Sequence, residues 1–293
     1  MSELVEPRLR DRRISLGARG GDILGYEFGP ADRPVDLVFS HANGFNARTY
    51  RSILAPLGAR WRVLMVDMRG HGRTELPDEV EGRDSWLDLR DDLLALIEAE
   101  GLSNVVLSGH SMGGCVSLLA SAEAPAAVRS LVLFDPVIIP EDKGPPKPEV
   151  LNSPLAVGAR NRRAVFASKA AVVEAYRGRG AFRAWSEDML VDYVTDGFRD
   201  TDDGQVTLAC TPAWEASNFT SHGQDPYDAF DRSVCPIHIL RAEVGSTCRV
   251  DDQIDRLTQG GRIRIETVPG TSHFLPMERP ELVREALEAA MRA

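Results

Sequence analysis

The chain has 293 residues, enough for one large α/β domain or two small ones. Its 44 acidic against 34 basic side chains give a formal charge of −10, which disfavours binding by neutralisation of nucleic-acid phosphates, and 43% hydrophobic with 27% charged residues excludes global disorder. No apolar run approaches the roughly 20 residues that span a bilayer, and Met1 to Arg13 lacks the apolar stretch of an export signal, so a cytoplasmic chain without a membrane partner is expected.

Short apolar runs rich in β-branched residues alternate with stretches of helical period, the pattern of βα units on a mostly parallel sheet. Arg12 to Leu16 and Ile23 to Phe28 read as an opening strand pair turned at Gly20-Gly21. Val35 to Ser40 and Arg62 to Asp67 follow. Trp86, Leu89, Leu93, Leu96 and Ile97 then recur at steps of three and four, which predicts a helix ending near Gly101 with one face on the sheet. Further strands are predicted at Val105 to Ser108, Leu131 to Phe134, Ile237 to Leu240 and Ile263 to Val268, eight in all. Pro280 opens a closing helix whose Leu282, Ala286, Leu287 and Ala290 should cover the sheet's other face or edge.

The stretch 140–232 breaks this alternation. It opens with Pro140, Pro145, Pro146 and Pro148, continues in helical patterns, and reads as a helical cap inserted into a core formed by 1–139 and 233–293. Asp196 to Gly204, dense in Asp and Gly, is expected as a loop between cap helices. Seven basic residues against one acid between Arg160 and Arg183 mark a solvated face, or less simply a rim for anions. The scattered Cys115, Cys210, Cys235 and Cys248 show neither CxxC spacing nor nearby paired histidines, so buried reduced thiols are expected and no metal site is implied.

After the fifth strand comes Gly109-His110-Ser111-Met112-Gly113-Gly114, then helix: GxSxG between a strand and a helix. Glycines there let a tight turn lift the serine hydroxyl above the sheet edge, and the helix N-terminus beneath it offers the Met112 amide to a developing oxyanion. A serine needs a base to accept its proton, and His273, in a loop after the last strand, is the strongest one. His41, His71 and His110 read as structural rather than reacting residues, and surface or core roles suffice for His222 and His238.

With these residues the sequence resembles the α/β-hydrolase superfamily over nearly its whole length. Ser40-His41-Ala42-Asn43-Gly44-Phe45 is similar to that family's oxyanion loop, Asp67-Met68-Arg69-Gly70-His71-Gly72-Arg73-Thr74 to its DxRGxGxS turn, and Gly270-Thr271-Ser272-His273-Phe274 to its histidine loop. The resemblance implies an eight-stranded, mostly parallel sheet with an inserted helical cap, and a second oxyanion donor from Asn43, through its amide or its side chain. It also implies a triad acid. The common position after the seventh strand reads Gly245 or Ser246, whereas a minority pattern, as in haloalkane dehalogenases, places the acid after the sixth strand, where Asp135 stands. Asp135 is therefore preferred, then Glu243, then Asp251 or Asp252.

Serine at position 111, where dehalogenases and epoxide hydrolases carry Asp, implies acyl transfer: hydrolysis of a small or medium carboxylic ester through an acyl-enzyme, with no cofactor. A C–C bond hydrolase, a cofactor-free perhydrolase and a low-turnover receptor remain open on the same scaffold. Phe45, Phe182, Trp185, Trp214, Phe219 and Leu275 are expected to wall the substrate pocket. The sequence specifies neither the acyl length nor the oligomeric state.

Overall fold

The computed structural model describes residues 8–139 and 148–293. All eight expected strands form one sheet: β1 (Arg10–Leu16), β2 (Gly21–Phe28), β3 (Leu37–Ser40), β4 (Val63–Val66), β5 (Val105–His110), β6 (Val128–Phe134), β7 (Ile237–Val244) and β8 (Ile263–Ser272). Their spatial order is β1-β2-β4-β3-β5-β6-β7-β8. Strand β2 runs antiparallel to both its neighbours and every other pairing is parallel.

The central parallel strands β3 to β6 are buried on both faces, and their side chains divide with period two. Val38, Leu64, Leu107 and Leu133 join the cluster beneath α1 (Leu87–Ala99) and α2 (Met112–Glu123). Phe39, Met65, Val106 and Val132 join the opposite cluster with Val283 and Leu287 of the final helix, so that helix covers the second face. The expected stripe of α1 is buried throughout.

The stretch expected as the cap is more than helical. Helices α3 (Glu187–Gly197) and α4 (Pro212–Thr220) are joined by a β-hairpin in place of the expected loop: Phe198–Asp200 pairs with Val206–Leu208, which also pairs with Val165–Phe166. The polar run at Thr201 to Gln205 is its turn, closed where Asp203 accepts from Thr201 and Gln205, with Gly204 at φ 77°. The last part of the stretch belongs to the core layers, because Trp214 of α4 and Ala229 and Phe230 of α5 (Pro226–Arg232) lie in the same cluster as α1 and α2. The proline-rich entry, 140–147, lies outside the described residues. Within the basic run, Arg162 turns inward to Glu215 at 2.5 Å and Arg177 pairs outside with Glu174 and Glu187.

Among the described residues no helix is long and apolar enough to cross a membrane. The four cysteines are buried and unpaired.

Candidate active site

Ser111 sits between β5 and α2 at φ 56°, ψ −117°, a conformation that L-residues adopt only at a cost of about 1–3 kcal/mol. The flanking glycines make the turn possible. A Cβ on Gly109 would meet the Gly113 carbonyl carbon at 2.4 Å, and one on Gly113 would meet the Ser40 and His41 oxygens at 2.3 and 2.5 Å. The serine is 6% exposed.

The loop after β8 brings His273 to this hydroxyl, with Nε2 3.0 Å from Ser111 Oγ. Its Nδ1 lies 2.6 Å from Asp135 Oδ2, so the imidazole donates to the acid and presents Nε2 as acceptor to the serine. His273 is 26% exposed at the side chain, while Asp135 is fully buried at the end of β6. Burial would raise the Asp135 pKa, but hydrogen bonds and charge from His273, together with Ser246 Oγ at 2.5 Å and the Ala242 amide at 2.8 Å, hold it below its ordinary value. Thr247 adds its amide at 3.1 Å. The carboxylate is thus fixed, ionised and aimed.

Glu243 is outside this constellation: it is exposed and its carboxylate accepts from the Gly270 amide at 2.9 Å. Asp251 and Asp252 are exposed as well, the former paired with Arg241.

The loop at 40–45, where the oxyanion donor is expected, is pinned from below. Ala42 N–H donates to Tyr50 Oη at 3.2 Å, Gly44 N–H to His71 Nε2 at 3.0 Å and Phe45 N–H to the Ala42 carbonyl at 3.1 Å. Between Ala42 and Phe45, the Asn43 amide has no acceptor among the described residues. Its carboxamide is occupied, donating to the Glu215 carbonyl at 3.0 Å and accepting from Asn218 Nδ2 at 2.8 Å, so of the two possible donors on Asn43 only the amide is uncommitted. The Met112 amide, first in α2, has no acceptor within its helix.

The three anchoring histidines are buried. Burial lowers His41 to about 4; it is the larger cause, with the His273 charge second, that brings His110 to about 3, and it takes His71 well below its ordinary value. His110 is then a neutral strut: Tyr50 O–H donates to its Nδ1 and its Nε2–H donates to the His273 carbonyl, both at 2.7 Å. The Asp67 turn organises backbone, accepting from the Ala47 and Arg73 amides at 2.8 and 3.0 Å, and Arg69 grips Asp92.

Of the expected wall residues, Phe45 and Trp185 stand edge to face at 5.1 Å, half-buried, with Phe274 stacked 6.3 Å from Phe45. Phe182 extends the cluster, 4.9 Å from Trp185, and Phe219 is half-buried on α4. Trp214 and Leu275 are corrected to core. Trp214 packs on the bare Cα of Gly70 beneath the Arg83 guanidinium, and Leu275 is sealed in the cluster under the final helix. Sequence reasoning did not assign Phe274, Tyr50, Ser246 or Thr247. The first follows His273 directly, and the hydroxyls at 246 and 247 occupy the place where an acid was expected.

Among the described residues no three His, Cys, Asp or Glu side chains are grouped to hold a metal. Residues 37–286 match the sequence profile of the alpha/beta hydrolase family. A protein of Mesorhizobium japonicum named 2-(acetamidomethylene)succinate hydrolase is 25% identical over 292 residues, covering 98% of this chain and 96% of that one. A Pseudomonas putida protein named 2-hydroxy-6-oxo-2,4-heptadienoate hydrolase is 35% identical over 109 residues, covering 36% of this chain and 38% of that one. The crystal structure of an E-2-(acetamidomethylene)succinate hydrolase superposes with a TM-score of 0.79 at 24% identity, covering 98% of this chain and all of that one. With the profile matched across most of its length, the chain belongs to the alpha/beta hydrolase family.

Proposed function

We propose that the protein is a serine hydrolase that cleaves a small or medium carboxylic ester. The observation that carries this reading is the continuous line from Ser111 Oγ through both His273 nitrogens to the buried Asp135 carboxylate, at 3.0 and 2.6 Å. His273 Nε2 takes the Ser111 proton as the hydroxyl oxygen attacks the ester carbonyl. Asp135 fixes the tautomer that makes Nε2 an acceptor and stabilises the imidazolium that forms. The oxyanion is met by the amides of Met112 and Asn43. Collapse breaks the C–O bond, and the imidazolium returns its proton to the departing alkoxide. Water then attacks the acyl-enzyme with His273 again as base, releasing the carboxylic acid and restoring Ser111. Phe45, Trp185 and Phe274 give this centre an apolar aromatic wall suited to an uncharged acyl or alcohol group.

The test is a ladder of p-nitrophenyl esters of rising acyl length on the wild type and Ser111→Ala. Turnover that peaks at one length and vanishes in the variant is expected. No turnover above the variant on any rung would overturn the ester reading.

The relative of nearly equal length, named for an acetamido-bearing substrate, favours a second reading, attack of the same serine on an acetyl amide or enamide. Acetate release from such a compound, with the ester ladder inert, would put it first.

A further inference from the structure

We propose that Asn218, on α4, is a positioning residue for the oxyanion hole, acting through the Asn43 carboxamide to hold the Asn43 amide toward the reacting carbonyl. The inference rests on the ester-hydrolase reading and adds a residue and a dependence to it.

The loop's own supports come from the core: Tyr50 holds Ala42 and His71 holds Gly44. The peptide between them, whose N–H is the donor, has its carbonyl held as well, accepting from Phe45 N–H at 3.1 Å and from His41 Nδ1–H at 2.7 Å. Its Asn43 end is held in addition through the side chain, from the other side of the site. Asn43 donates to the Glu215 carbonyl and accepts from Asn218 Nδ2, so one carboxamide bridges two positions a single turn apart on α4. Both orientations are forced. Turning the Asn218 amide over would set oxygen against the Asn43 oxygen, and turning Asn43 over would set oxygen against the Glu215 carbonyl. In this orientation Asn218 Oδ1 is buried and has no hydrogen-bond partner among the described residues.

Helix α4 is a firm platform for this grip. Thr211 caps its N-terminus by accepting from the Trp214 amide at 3.1 Å, Pro212 occupies its first turn, and the Trp214 ring is seated on Gly70. The Glu215 carboxylate, paired with Arg162, lies where a Cβ on Gly44 would meet it at 2.7 Å, closing the loop from above. A displacement of α4 is therefore carried to the oxyanion donor.

The experiment measures kcat and KM on the preferred p-nitrophenyl ester, and the affinity for a trifluoromethyl ketone that forms an oxyanion adduct with Ser111. Asn218→Ala should lower kcat about tenfold with KM little changed, and weaken ketone binding by a similar factor. Asn218→Asp keeps the size and withdraws the donor, so it should lose at least as much while its thermal midpoint verifies folding. Asn43→Ala combined with Asn218→Ala should lose no more than the worse single variant, because both remove one connection. Additive losses, a raised KM at unchanged kcat, or wild-type turnover in Asn218→Asp would overturn the inference. A wild type inert toward esters and ketone would instead overturn the ester-hydrolase reading, and the inference with it.

Discussion

Ser246 Oγ lies 2.5 Å from Asp135 Oδ1, so the place after β7 where an acid is commonly expected supplies the hydroxyl that steadies the acid at the end of β6. Exchanging Asp135 for Asn should lower kcat by roughly four orders of magnitude through loss of tautomer control. Ser246→Ala should cost far less, about tenfold, since Ala242 and Thr247 still donate to the carboxylate. Glu243→Gln should retain wild-type kcat; a large loss there, with Asp135→Asn active, would reassign the acid.

Leu275 and Phe45 should separate stability from selectivity. Leu275→Ala empties a sealed core position and should cost about 2–5 kcal/mol in urea unfolding without moving the acyl-length optimum. Phe45→Ala opens the aromatic wall, and its rate maximum on the ester ladder should shift to longer acyl chains. A shifted optimum in Leu275→Ala would return that residue to the pocket.

Asp67 gives stability a pH signature. Burial raises its pKa to about 6, against opposing hydrogen bonds from the Arg73 and Ala47 amides. Below about pH 4 the folded and unfolded chains both hold the proton. Between about pH 4 and 6 the unfolded chain releases it while the folded chain retains it, so stability falls as pH rises and levels off above 6. The span corresponds to about 3 kcal/mol. Urea midpoints of the wild type relative to Asp67→Asn should decline across that window; a difference that grows with pH would show the folded carboxyl already ionised at pH 4.

Tyr50 accepts from Ala42 and donates to His110, which donates to the His273 carbonyl, linking the loop at 40–45 to the His273 loop. Tyr50→Phe strands two buried groups and should cost about 1–3 kcal/mol. It should also reduce kcat through the loosened His273 loop, and an unchanged kcat would show that loop to be self-supporting.

The sheet was legible because two-sided burial leaves short, mostly apolar runs such as Leu37–Ser40 and Val63–Val66, each set off by turn residues. The contact between Ser111 and His273 was legible because a strained elbow demands glycines and a histidine stands in the loop after the last strand. The hairpin at 198–208 was not, since its strands are three residues long and its polar turn reads as loop. Trp214 and Leu275 were misplaced because an apolar side chain carries no mark distinguishing pocket from core; Gly70 and the final helix decide that, and both are distant in sequence. The Asn43–Asn218 pair, 175 positions apart, has no local signal.

The order in which the chain is made bears on when it acquires chemistry. Ser111 and Asp135 emerge in the first half, but the imidazole between them arrives only with β8, which pairs on β7 alone and holds the sheet's outer edge. On the proposed mechanism, Ser111 lacks its base until β8 docks on β7 and His110 grips the His273 carbonyl. On that mechanism a copy made only as far as β7 holds a serine without its partner, and the place of one strand in the chain order sets when the proposed chemistry begins.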